Sequence, residues 1–207
     1  MNRAVTCFVF LAALAAQPVV AAPDGLGKLC AASTKAELAK DYPTAIRHMR
    51  AFEQRGGEPF FAALRLGWLY CGNGNFPAAQ RCYGQAVELQ PAAINARLGV
   101  LNAAVAIKDV RGTAQAAAAV LKVEPTNYLA LTALAGLHFA QKNYAQAAAD
   151  YARILVNYPD DPDALSGAAW SALRAGDKAS ARPRFELLLG RNPDYPLAQE
   201  GFQQTGK

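Results

Sequence analysis

Few side chains in this chain are of a kind that does bond chemistry, and they are scattered. His48 and His138 are its two histidines, and neither has a Cys or His neighbour at zinc-ligand spacing. His138 falls among the apolar positions of a helical pattern and reads as a packed imidazole. Asp160, Asp161 and Asp163 cluster between and beside Pro159 and Pro162. They lack the spacing of a calcium loop and read as a solvated turn. No glycine-rich phosphate loop, HExxH or GxSxG occurs; Gly72-Asn73-Gly74 is turn punctuation. The expectation is a protein without catalytic residues, cofactor or metal.

The elements that position these residues repeat. The stretch 60–93, FFAALRLGWLYCGNGNFPAAQRCYGQAVELQPAA, holds two apolar-periodic runs around a break at 72–75, and Pro91 closes it. Pro91, Pro125, Pro159 and Pro193 follow at intervals of 34 residues. The breaks keep the same phase: Gly74-Asn75, Lys108-Asp109, Lys142-Asn143 and Gly176-Asp177, with Lys40-Asp41 before them. Small residues share a phase too, at Ala45, Ala79, Thr113, Ala147 and Ala181, as do Tyr83, Tyr151 and Phe185. A fixed period of this length marks stacked supersecondary units.

The pattern resembles the tetratricopeptide repeat (TPR), a 34-residue helix–turn–helix unit with large residues at its first packing positions, small ones where its helices cross and proline near its end. The resemblance implies an all-α fold, a right-handed α-solenoid of stacked hairpins. It divides 22–207 into a degenerate unit 26–59, units 60–93, 94–127, 128–161 and 162–195, and a short capping helix over 196–202 with a frayed tail. Unit 94–127 departs from the pattern. Leu101 stands where Gly67 stood and Ala117 where Tyr83 stood, which predicts an overpacked crossing relieved by the run Ala116–Ala119. Arg97 occupies a position usually large and apolar. Pro183 predicts a kink or late start in its helix.

In such stacks the first helices line a groove that holds an extended peptide or a partner helix. Carried over by phase, the groove would take Phe61, Leu64, Arg65 and Trp68 from the second unit, and Asn95, Leu98 and Asn102 from the third. The fourth would give Thr132 and Phe139, the fifth Asp163, Ser166, Trp170 and Arg174. Asn95 and Asn102 would grip a peptide backbone, since an amide both donates and accepts. Trp68 and Trp170 share a phase and are either anchors or half-buried packing residues. Arg65 stands nearly alone, which does not suit a carboxylate clamp. Cys71 and Cys82 lie on either side of one hairpin turn. They are either a disulfide or two buried thiols, depending on whether their Cα atoms lie within about 7 Å. Cys30 is then left over, to be buried or to pair between chains. Arg174, Lys178, Arg182, Arg184 and Arg191 concentrate positive charge, as a solvated face or a dock for an acidic partner.

Asn2-Arg3, an apolar run over 4–16, a break at Gln17-Pro18 and small residues over 19–22 have the layout of a secretory signal peptide, with cleavage expected after Ala21. The net charge of +5 is too mild for nucleic acid or anionic lipid to be the main partner. The sequence therefore predicts a periplasmic or secreted, non-catalytic scaffold. It would bind a protein or peptide in its groove and help assemble an envelope complex, with no small-molecule substrate and with self-association open. The alternative is a component of a polysaccharide-export or secretion machine acting through the convex face or an oligomer.

Overall fold

The computed structural model describes residues 25–206; the leader expected over 1–21 lies outside them. The described residues form helices and turns, without a strand. The helices are α1 (Leu26–Leu38), α2 (Tyr42–Gln54), α3 (Pro59–Gly72), α4 (Phe76–Leu89), α5 (Ile94–Ala106) and α6 (Val110–Leu121). There follow α7 (Tyr128–Ala140), α8 (Tyr144–Asn157), α9 (Pro162–Arg174), α10 (Lys178–Arg191) and α11 (Ala198–Thr205). None is long and apolar enough to cross a membrane.

One turn chemistry builds every hairpin. The second residue past each first helix takes a left-handed conformation: Lys40, Gly74, Lys108, Lys142 and Gly176 have φ of 58°, 74°, 57°, 63° and 87°. The next residue is Asp or Asn, and its N–H returns to the helix just ended, as in Asn75 to Tyr70 O (2.9 Å) and Asp177 to Ala172 O (2.9 Å). That closes orphan carbonyls in a Schellman-type cap. In four of the five turns its side chain then caps the following helix. Asp41 accepts from Thr44 N, Asn75 from Ala78 N, Asp109 from Gly112 N and Asp177 from Ser180 N, at 2.9–3.2 Å. One dipeptide thus ends one helix and starts the next.

Each helix packs on its chain neighbours, and the stack carries its core along the seams. The odd-numbered helices from α3 to α11 also touch one another, whereas no pair of even-numbered helices makes comparable contact. The odd helices therefore form the tighter, inner wall and the even helices the outer one. Small residues let the pairs approach. Ser33 is buried at the α1–α2 crossing and donates to Ala45 O at 2.9 Å, satisfying a polar group that would otherwise cost stability there.

Unit 94–127 is not overpacked. Leu101 is fully buried beside Ala116, Ala117 and Val120. The volume that Tyr83 supplies in one hairpin is supplied here from the opposite helix by Leu101, so large and small have traded places. Arg97 sits among apolar residues because its guanidinium reaches backbone, Pro91 O at 2.8 Å and Ala119 O at 3.4 Å. Pro183 neither delays nor ends α10, which runs from Lys178 to Arg191. Pro183 stands inside the helix, so its missing N–H removes the ladder bond to Ala179 O; one turn away, the Arg184 guanidinium donates to the Ser180 carbonyl. The last helix begins at Ala198 and continues through Thr205. Its tail is held because Thr205 is buried and its hydroxyl donates to Phe202 O at 2.6 Å.

Candidate functional site: the inner groove

At the C-terminal end the inner wall opens into a recess of about 370 Å³, lined by Phe139, Tyr151, Gly167, Trp170, Arg174, Leu197 and Glu200. Three residues placed in the groove by phase, Phe139, Trp170 and Arg174, meet here. Their positions are fixed from behind. Trp170 packs edge-on against Phe185, with ring centroids 5.5 Å apart, and the Arg174 guanidinium lies 5.6 Å from the Trp170 ring centroid. Phe139 packs edge-on against Tyr144 at 5.3 Å. Trp170 is thus both a packing residue and part of the recess wall. Leu197 closes one side, is 65% exposed, and has φ of 62°, a strained conformation for a branched-chain residue.

At the other end Trp68 is 56% exposed, yet its indole N–H is held by Glu37 Oε1 at 2.6 Å. The other Glu37 oxygen accepts from Arg65. Burial works against the Glu37 carboxylate, but the hydrogen bonds from Arg65 and Trp68 outweigh it and hold its pKa below the ordinary value. Arg65 is therefore spoken for, and Trp68 presents a fixed ring. Phe61 packs edge-on against Phe52 at 5.7 Å. Asn95 is exposed, but its Oδ1 accepts from Ala96 N at 2.9 Å, so its acceptor is turned onto its own helix. Asn102 is exposed. Thr132 lies apart from Phe139, in a second recess of about 390 Å³ beside Val105, Lys108 and Gly136.

The remaining candidates resolve into structure. Cys71 and Cys82 are not bridged: Cys30, Cys71 and Cys82 are all free thiols. The reason is the face each occupies. Cys71 meets the Tyr83 hydroxyl on the α5 side, while Cys82 packs with Leu66 and Leu69 toward α2, near Arg50. Burial pushes all three thiols up. His138 Nδ1 lies 2.8 Å from Asp150 Oδ2, joining α7 to α8, and Arg153 adds a second contact to Asp150 at 3.6 Å. Each aspartate of the 160–163 turn has its own partner. Asp160 pairs with Arg191, Asp161 accepts from Tyr128 Oη (3.1 Å) and Ala164 N (2.7 Å), and Asp163 accepts from Tyr195 Oη (2.6 Å). Burial and then that carboxylate push the Tyr195 phenol up to about 12. The basic cluster is likewise engaged at home: Arg182 pairs with Glu186 at 3.0 Å and covers the Phe202 ring, Arg184 reaches backbone and Arg191 holds Asp160.

Sequence reasoning missed Glu37, Tyr151, Leu197 and Glu200. Three were within reach of the same rule. Glu37 has the phase of Phe139, Leu197 that of Phe61, and Glu200 that of Thr132, but the pattern is weakest in the degenerate first unit and ends before the terminal helix.

This geometry defines a class, an all-α helical-repeat solenoid with an open inner wall. Models of the Tetratricopeptide repeat family match residues 64–110, 101–162 and 138–201, and the chain belongs to that family. Solved structures share the fold at low identity. MamA superposes with a TM-score of 0.73 at 16% identity, covering 83% of this chain and 96% of that one. A tetratricopeptide repeat protein from Parabacteroides merdae gives 0.76 at 18% identity, over 87% of this chain and 72% of that one. YrrB, described as a TPR protein with an unusual peptide-binding site, gives 0.70 at 11% identity over 83% and 88%. No curated protein matches the sequence.

Proposed function

We propose that the chain is a non-catalytic scaffold of the periplasm or cell envelope that binds a segment of another polypeptide along its inner wall and so assists assembly of a complex. Membership of a family of interaction modules supports the general activity, and a fold neighbour described as peptide-binding agrees with it. The leader-like layout of residues 1–22 supports the location. The observation that carries the reading is the recess shared by Phe139, Trp170 and Arg174. Pre-positioned aromatic and Arg side chains around a concave apolar surface are what interface anchors look like. Its strained, exposed Leu197 has no packing rationale within the fold.

Leu197 also provides the test. Leu197→Gly suits the left-handed backbone and removes the side chain from the recess. It is expected to leave the melting temperature unchanged or higher while weakening capture of the native partner at least tenfold; Arg174→Glu should act in the same direction. Trp68→Ala with Asn102→Ala tests the other end, with helicity followed by circular dichroism. Full capture by all of these variants sinks the groove.

A further inference from the structure

The seam between the third and fourth hairpins departs from the rule that packs the seams on either side of it and the last one. At three seams an aromatic ring from a second helix lies on a glycine of the next first helix: Tyr83 on Gly99, Tyr151 on Gly167 and Phe185 on Gly201. A methyl group at any of these glycines would overlap the ring. Two seams differ: the first has Met49 and Arg65 at these positions, and the seam between the third and fourth hairpins has Ala117 at the ring position and Ala133 at the glycine position. Leu101 packs with Ala117 there, and open space remains beside Ala133. It is the recess of about 390 Å³, and its lining includes Val105, Thr113, Ala133 and Gly136, with Lys108 as its one charged member. By phase, Val105, Thr113 and Ala133 are the counterparts of Cys71, Ala79 and Gly99, which surround the Tyr83 ring.

We propose that this recess takes the phenylalanine side chain of an acidic peptide segment, with a carboxylate beside the ring facing Lys108. The proposal rests on the groove reading above and names what one part of the groove recognises. A ring is the group for which the repeat builds this space at three other seams. Phenylalanine is the ring chosen because the Tyr83 hydroxyl meets the Cys71 thiol, and Val105 stands where that thiol would be, so a ring seated as Tyr83 is needs no hydroxyl. The acidic flank follows from charge. Lys108 is exposed at the rim, and its neighbour Asp109 is already committed to Gly112 N. A carboxylate there gains attraction without losing much hydration.

The probes are fluorescein-labelled Gly-Ser-Asp-Phe-Asp-Ser-Gly and the same peptide with alanine for phenylalanine, titrated into the full chain and read by anisotropy. The blocking variant is Gly136→Leu. A Cβ at Gly136 meets nothing within 4 Å, and leucine is the better helix former, so the variant should fold at least as well while filling the recess floor. The expected result is saturable binding of the phenylalanine peptide, about tenfold or more weaker for the alanine peptide and for Gly136→Leu. Lys108→Gly, compatible with the left-handed backbone there, should weaken binding severalfold. Absence of binding, equal binding of the two peptides, or unchanged binding by Gly136→Leu overturns the proposal. If native-partner capture is then lost in Leu197→Gly but not in Gly136→Leu, the groove stands and only the recess assignment fails. If capture persists in both, the groove reading fails as well.

Discussion

Glu37 shows how much of the groove depends on single side chains from a distant hairpin. It holds Arg65 and Trp68 at once, from α1 to α3, and the Glu37–Arg65 pair is largely shielded from water while the Trp68 ring stays exposed. Because its carboxyl is depressed in the fold, its contribution is complete above the ordinary value of 4.5 and is lost as pH falls through the folded value. Glu37→Gln should therefore cost about 1–2 kcal/mol at neutral pH and make the acid side of a melting-temperature profile shallower than in the parent chain. An identical acid limb in both proteins would mean that the carboxylate carries no charge-dependent stability. Phase reaches the position of Glu37 in the sequence but not the bridge it makes. Arg65 was read as nearly alone because its partner lies in the unit whose pattern is weakest. Cys71 and Cys82 also needed the structure, since a helical period places each near the turn without saying which seam it faces.

At the scale of the helix pair, the decisive residues are the left-handed one and the Asp or Asn that follows it. The spacing of Lys108-Asp109, Lys142-Asn143 and Gly176-Asp177 was visible as a break, and the capping function of the acidic or amide residue explains why the break recurs with that chemistry. Lysine at three of the five left-handed positions carries backbone strain that glycine does not. Lys142→Gly should accordingly stabilise the chain by about 0.5–1 kcal/mol, measured by urea denaturation at constant m. A lower midpoint would show that the lysine side chain contributes more than the strain costs. The Leu101–Ala117 exchange belongs to this scale too. Read singly, Leu101 is too large for its slot; read across the crossing, the volumes balance. The alanine run opposite already pointed to that balance in the sequence, and the structure packs Leu101 against Ala116 and Ala117.

For the whole molecule, curvature follows from the contacts that odd helices make with one another and even helices do not, and curvature is what turns a row of exposed side chains into a groove. The 34-residue interval made the stack legible, because phase survives even where individual residues change. The groove was only partly legible. Phase set Phe139, Trp170, Arg174 and Thr132 along one wall; the structure gathers the first three around one recess and puts Thr132 in another, and the Asn95 oxygen is turned onto its own helix. The central claim, that the inner wall is where another polypeptide sits, is tested most directly by a photocrosslinking amino acid placed one site at a time. Asn102 and Phe139 report on the inner wall, and Arg81, Gln115 and Arg153 on exposed positions of the even helices. The account predicts adducts with a second polypeptide from the inner positions, lost when Leu197→Gly is added, and none from the outer ones. Adducts formed only from α4, α6 and α8 would contradict it.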